Sequence, residues 1–465
     1  MSVVLLRFQV IDFGGGSTLY PARDIRQDFC LNPLHWYAMV EKKRKNVIRV
    51  YFEQQIALTH RNYRLYVVGQ SMSQIGTLIQ RVAMIWLAYR MTNSPFILGL
   101  VGFSEQIPIF MIAPFAGVFA DRWDKRKALI RIESLASLQA LFLAILMFTG
   151  VIRIWHIILL SLSLGVINAF EVPVRQSFVV DMVDGDKDAL GNAIAFNSTV
   201  FNLSRLIGPS IAGILITAVG EGWCFMANAF SYAIVVTSII MMRITVKSGR
   251  GEISGQVIRK LKEGVRYVGK LHVMKTLLIL LAIISFSNAS FRTLAPVFAK
   301  DILHGNANTF GFLMSAAGVG AIIGAIFLTS HRSVGLLKKL IHYTGILLGV
   351  SLLCFGGSKW LWLSLIFMAS GGLAQMMHTA CTNTLLQLFT DDDKRGRVMS
   401  FYAVSLQGTT PFGSFVSGTI ADSIGAPFTM AIMGVFSIAG TLFLRTKIDK
   451  EEKTVPVVIE KITDE

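Results

Sequence analysis

Two apolar runs, Phe96 to Phe119 and Ala128 to Met147, are joined by a short link that carries Asp121, Arg122, Asp124, Lys125, Arg126 and Lys127. Each run is long enough to cross a bilayer hydrocarbon core of ~30 Å as a helix. A link that short makes the two helices antiparallel neighbours. Its charges cannot enter lipid cheaply, so they lie at one membrane face, and the excess of Arg and Lys puts that face in the cytoplasm. The pattern recurs along the chain. Spans are predicted near 65–89, 96–119, 128–147, 154–170, 193–219 and 224–242, then 276–299, 310–330, 340–355, 360–382, 398–421 and 428–444. The expected fold is an all-α polytopic membrane protein, with twelve transmembrane helices in two six-helix, pseudo-symmetric halves. Gly213 and Gly220 are spaced as Gly418 and Gly425 are, each pair leading into the next span, which supports duplication.

Composition excludes several classes. The chain is 53% hydrophobic and 15% charged, too apolar for a soluble domain to cover its surface. The net charge of +16 does not indicate nucleic acid, because the basic residues gather in links between apolar runs. Cys30, Cys224, Cys354 and Cys381 are scattered without metal-ligand spacing, so no metal site and no disulfide framework is read. No G-x-x-x-x-G-K-[ST] occurs, so no nucleotide cofactor is expected and the proton gradient is the expected energy source.

Five segments are expected. Residues 1–60 form a cytoplasmic extension, either disordered or, equally, upstream of a start at Met39. Residues 61–242 form the first six-helix half. Residues 243–275 form a cytoplasmic linker, where Val257, Ile258, Leu261, Val265 and Val268 have the spacing of an amphipathic helix on the inner membrane face. Residues 276–446 form the second half, and residues 447–465 a cytoplasmic tail.

Polar residues inside membrane helices are the functional candidates. In the first span Gln70, Ser73, Gln74, Thr77 and Arg81 recur at intervals of three and four, one stripe of a helix. Such a stripe faces a cavity or hydrogen-bonds neighbouring helices; the cavity reading is preferred. Glu105 lies nine residues past Phe96, ~14 Å along a helix and close to the bilayer centre. Arg205 sits near the middle of the fifth span and needs a carboxylate or carbonyl partner. Glu105 and Arg205 are therefore the coupling candidates, Glu105 as proton carrier and Arg205 as its partner or a cavity-lining cation; a structural ion pair is the alternative. Gly208, Pro209 and Gly213 permit a kink and close helix packing. Pro173 is expected to break or kink the fourth span.

The segment Gly117-x-x-x-Asp121-Arg122-x-x-Lys125-Arg126 resembles the G-x-x-x-D-R-x-x-R-R loop signature of the major facilitator superfamily, with Lys125 at an Arg position and Asp124 at a common Gly. Twelve spans in two halves with a basic central loop resemble that superfamily over residues 62–447. Ser94-Pro95-Phe-Ile-Leu-Gly99, Pro173-Val-Arg175-Gln176, Arg205-Leu-Ile-Gly208-Pro209 and Arg395-Gly396-Arg397-Val-Met-Ser look like its bacterial efflux branch, which includes the enterobactin exporter. Gly208-Pro209-x-x-x-Gly213 resembles the antiporter motif of drug–proton exchangers, with Ala212 where a second Gly is common. The resemblance implies that Gly117, Asp121, Arg122 and Arg126 form a gating motif that holds the halves together at the cytoplasmic side. It implies export, across the bacterial inner membrane, of small amphipathic drug- or siderophore-like molecules by proton antiport and alternating access. Both termini would be cytoplasmic and the protein a monomer in the lipid bilayer. Members of the branch often carry an acidic residue after the mid-helix Gly of the first span; here Thr77 follows Gly76, which raises the interest of Glu105. An importer or facilitator on the same fold is the alternative. A polytopic sensor or membrane enzyme has less support, since no nucleophile motif or soluble catalytic domain is present.

Overall fold

With no water in hydrocarbon to bond exposed N–H and C=O groups, an apolar chain satisfies them within helices. The computed structural model describes residues 56–120, 123–243, 272–330, 333–391 and 394–452, and no strand occurs among them. The first half contains α1 (Arg61–Thr92), α2 (Pro95–Ala120), α3 (Lys125–Phe148), α4 (Ile154–Met182), α5 (Lys187–Val219) and α6 (Glu221–Met241). The second contains α7 (His272–Val297), α8 (Ala307–Thr329), α9 (Val334–Gly357), α10 (Leu361–Leu388), α11 (Arg395–Ala403), α12 (Thr410–Ile424) and α13 (Ala426–Glu452). A π-helical turn, Val404–Gly408, joins α11 to α12, and the two make one broken span.

Among the described residues ten helices are long and apolar enough to cross a membrane by length and composition. The remaining two spans are α1, whose glutamines and arginines dilute its apolar character, and the interrupted α11–α12. On α3, Leu135, Leu138, Phe142 and Ile145 form an exposed apolar stripe, while Ala136, Ala140, Leu143 and Ala144 are buried. A helix with an outward-facing apolar stripe and small residues inward is built for lipid.

Local signals place the ends. Asp124 caps α3 by accepting from the Lys127 backbone N–H at 3.1 Å. Gly220 and Gly425 end α5 and α12 at φ of 89° and 90°, a region that favours glycine. The same turn thus recurs at the same place in both halves. Of the break or kink expected at Pro173, no break occurs: α4 runs through it to Met182. The linker helix expected within 243–275, the extension 1–55 and the tail beyond 452 lie outside the described residues.

The halves meet along two related seams, α2 on α12 and α5 on α8. Both seams are lined by glycine. A Cβ on Gly99 would lie 2.7 Å from the Ser414 carbonyl oxygen, and one on Gly213 would lie 2.7 Å from that of Ala307. Without side chains the backbones approach to contact. Polar clasps close the face opposite the α2–α3 link. Tyr89 donates to Asp301, Lys300 donates to Asn93 at 2.5 Å, and Ser94 donates to Asp422 at 2.8 Å. The Trp86 and Phe310 rings stack just inside. Phenylalanines carry the α2 seam inward, ending with Phe110 against Phe412. From Pro95 to Phe110 is ~22 Å at the helical rise, so the seam is shut through most of a hydrocarbon core.

Candidate functional site

Where the seam ends, four ionisable side chains from four helices converge. Glu105 of α2 is 4% exposed. Its Oε1 accepts from Arg81 of α1 twice, at 2.6 Å from Nη2 and 2.7 Å from Nε. The Arg81 side chain keeps 33% of its surface open, so the pair joins a dry carboxylate to a partly wet cation. Gly165 of α4 fixes the backbone behind it: a Cβ there would lie 2.3 Å from the Glu105 carbonyl oxygen. Arg205 of α5 lies with its guanidinium 5.9 Å from the centre of the Phe201 ring. Arg292 of α7 is exposed although residues 293–299 and 289–291 on either side of it are buried. Arg81, Arg205 and Glu105 of the other half lie within Coulombic range of it. Arg205 is coupled to Arg81 in the same way.

The two coupling candidates thus share one region, but Glu105 pairs with Arg81 and not with Arg205. Arg205 is half-buried beside Phe201 and makes no ion pair with Glu105. The polar stripe of α1 divides. Gln70 and Ser73 are buried. Gln74 and Thr77 are half-buried, and the Thr77 hydroxyl bonds that of Tyr232 on α6 at 2.9 Å. The stripe winds around α1, so its inner end meets α6 while Arg81 meets α2. Arg292 was not singled out by sequence reasoning, although the rule that marked Arg205 applies equally to an arginine within the seventh span.

Two further polar groups organise the first half. Gln80 donates to Gln139 at 3.0 Å, Asn228 donates to Gln80 at 2.8 Å, and Gln139 donates to the Leu160 carbonyl at 3.0 Å. This network ties α1, α3, α4 and α6, with buried amides satisfied by each other. Nearer the α2–α3 link, Arg175 and Glu171 of α4 pair at 2.5 Å. Glu133 of α3 is 1% exposed beside them, and its Oε1 has no hydrogen-bond partner.

Of the residues expected to form a gating motif, Asp121 and Arg122 lie outside the described residues, and Gly117 lies in the last turns of α2. Arg126 donates to the carbonyls of Ile240 at 2.8 Å and Ile239 at 3.3 Å. It thereby satisfies the C-terminal end of α6, where a cation is favoured. Lys125 pairs with Asp181 at 3.0 Å. The Gly208, Pro209 and Gly213 segment serves packing on two sides. Gly208 faces Leu78 of α1, while the Pro209 carbonyl and Gly213 face Gly311 and Ala307 of α8.

Known proteins share this architecture. A bacterial homologue of the human lysosomal transporter Spinster, solved inward-facing and occupied, superposes with a TM-score of 0.66 at 13% identity, covering 83% of this chain and 96% of that one. The nucleoside transporter NupG superposes with a TM-score of 0.63 at 14% identity, covering 83% and 99%. In sequence the chain is 27% identical to the Staphyloferrin A transporter of Staphylococcus aureus, over 79% of this chain and 91% of that protein. It is 20% identical to Macrolide efflux protein A of Streptococcus pyogenes, over 81% and 92%, and 22% identical to the Multidrug efflux pump Tap of Mycolicibacterium fortuitum, over 78% and 91%. The family described as Transmembrane secretion effector matches residues 55–459. Helix plan, paired glycine seams and this match agree: the chain belongs to the transmembrane secretion effectors of the major facilitator superfamily.

Proposed function

We propose that this transporter exports a small amphipathic molecule across the bacterial inner membrane by alternating access, in exchange for protons. The observation that carries the reading is the Arg81–Glu105 pair, with its carboxylate buried, at the inner end of a closed seam. Burial of a charge is tolerated only while it is paired, so a proton on Glu105 changes the energy of the cavity wall. Glu105 is the proton-carrying group and Arg81 its partner. The α2–α3 link and both termini lie in the cytoplasm, from the excess of Arg and Lys in the links on that side. The cavity then faces the cytoplasm in the state described here. The names of the efflux relatives favour export over import.

Transport into inverted vesicles tests the reading. An imposed inward-acid gradient should drive accumulation of a macrolide or siderophore probe, and a protonophore should abolish it. In whole cells, expression should lower accumulation of the same probe. Uptake of a nutrient stimulated by expression, with no probe exported, would favour the importer. A cysteine placed within residues 244–271 should be unreactive towards an impermeant thiol reagent in intact cells; labelling there would reverse the orientation.

A further inference from the structure

Two further arginines, Arg205 and Arg292, lie within Coulombic range of the Arg81–Glu105 pair at the inner end of the seam. The Arg81–Glu105 pair accounts for one cation. No ion pair among the described residues includes Arg205 or Arg292. Two positive charges therefore remain uncompensated near the middle of the membrane, one from each half of the protein. Such charges are expensive in a low-dielectric wall and mark ligand pathways. They also focus a positive potential into the cleft, which concentrates anions there. The two arginines differ in surroundings in a way that suits a ligand. Arg205 is half-buried beside Phe201, on one helical stripe with the exposed Ser198, whereas Arg292 of the other half is exposed. Guanidinium presents a planar fork of donors that matches carboxylate and phosphate oxygens. Because Arg205 and Arg292 belong to different halves, one molecule bearing two acid groups could hold both at once.

We infer that the substrate is a small organic polyanion, carrying two or more carboxylate or phosphate groups, and that Arg205 and Arg292 bind it from opposite halves. This rests on the transporter reading above and narrows its substrate from amphipathic molecules in general to those with a polyanionic end. A polyanion leaving the cell also moves with an inside-negative potential, which adds ~2.3 kcal/mol per charge per 100 mV to the driving force.

The test is equilibrium binding to the purified full chain in lipid nanodiscs. The probes are citrate for the carboxylate arm and pyrophosphate for the phosphate arm, with sucrose as a neutral control. At least one anion should bind, and the better of the two identifies the acid group. Arg205→Gln and Arg292→Gln should each weaken that binding about tenfold or more, as loss of one partner of a charge pair does. Arg292→Lys, which keeps the charge, should weaken it less than Arg292→Gln. Unfolding temperature, measured without ligand, checks that each variant is folded. Failure of both anions to bind, or binding unchanged in folded Arg292→Gln, overturns the inference. The two readings fail separately: proton-driven export of a neutral drug without anion binding sinks the polyanion site and leaves the exporter standing. Arginine-dependent anion binding with no transport in vesicles does the reverse.

Discussion

Gly320→Val should abolish folded protein, whereas Gly318→Val should leave the fold intact and impair only closure between the halves. The two glycines are two residues apart on α8 and so face nearly opposite sides of the helix. A Cβ on Gly320 would lie 1.7 Å from the carbonyl oxygen of Ala369 on α10, within the same half. Neither backbone can retreat without opening the half, so the cost should reach the top of the overpacking range, about 3 kcal/mol or more. A Cβ on Gly318 would lie 2.8 Å from the Arg205 carbonyl oxygen of α5, across the seam. There the halves can part as rigid bodies, and the strain is relieved by leaving the closed state. Thermal unfolding in detergent reads the first effect, and thiol labelling of a cysteine at Ser94 reads the second. Equal loss of stability in both variants, with no change in labelling, would mean that α8 does not separate packing within a half from packing between halves.

Glu105→Gln is expected to separate exchange from energy coupling. Glutamine keeps an oxygen acceptor near Arg81 but cannot carry the proton. Accumulation driven by a pH gradient should fall to the level seen without one, while gradient-free exchange of substrate continues. Breaking a fully buried ion pair costs about 3–5 kcal/mol; the partly open Arg81 can regain water, so the stability loss should be well below that range. A purely structural ion pair predicts the opposite pattern: lower stability with gradient-driven accumulation intact. That pattern would remove Glu105 from the coupling mechanism.

The plan of the fold was legible because lipid leaves few options. Apolar length and basic links mark the spans, and the glycine spacings around Gly220 and Gly425 recur as matching turns at φ near 90°. Even so, composition alone finds ten spans among the described residues. It passes over α1, whose polar residues serve the Gln80–Gln139–Asn228 network and Glu105, and the eleventh span, where a π turn interrupts the helix. The site was legible only as separate parts. Helical spacing showed that Gln70, Ser73, Gln74, Thr77 and Arg81 share a stripe, but not which neighbour each would meet. The partner of Glu105 depends on the crossing of α1 and α2, and the placement of Arg292 relative to Arg205 depends on how the two halves dock. Neither is encoded in any local pattern. Asp124 illustrates the reverse case: a departure from the loop signature that has a local cause, the cap on α3.

If the halves rock about the glycine seams, the distance between spin labels placed on the two halves reports it. Met91 at the end of α1 and Ser423 at the end of α12 are both exposed on the closed face. Labelled as cysteines in a background lacking Cys30, Cys224, Cys354 and Cys381, they should give two distance populations. The shorter corresponds to the closed face described here, and the longer should grow in Gly318→Val. A single distance, unchanged by Gly318→Val, would contradict rocking of the halves.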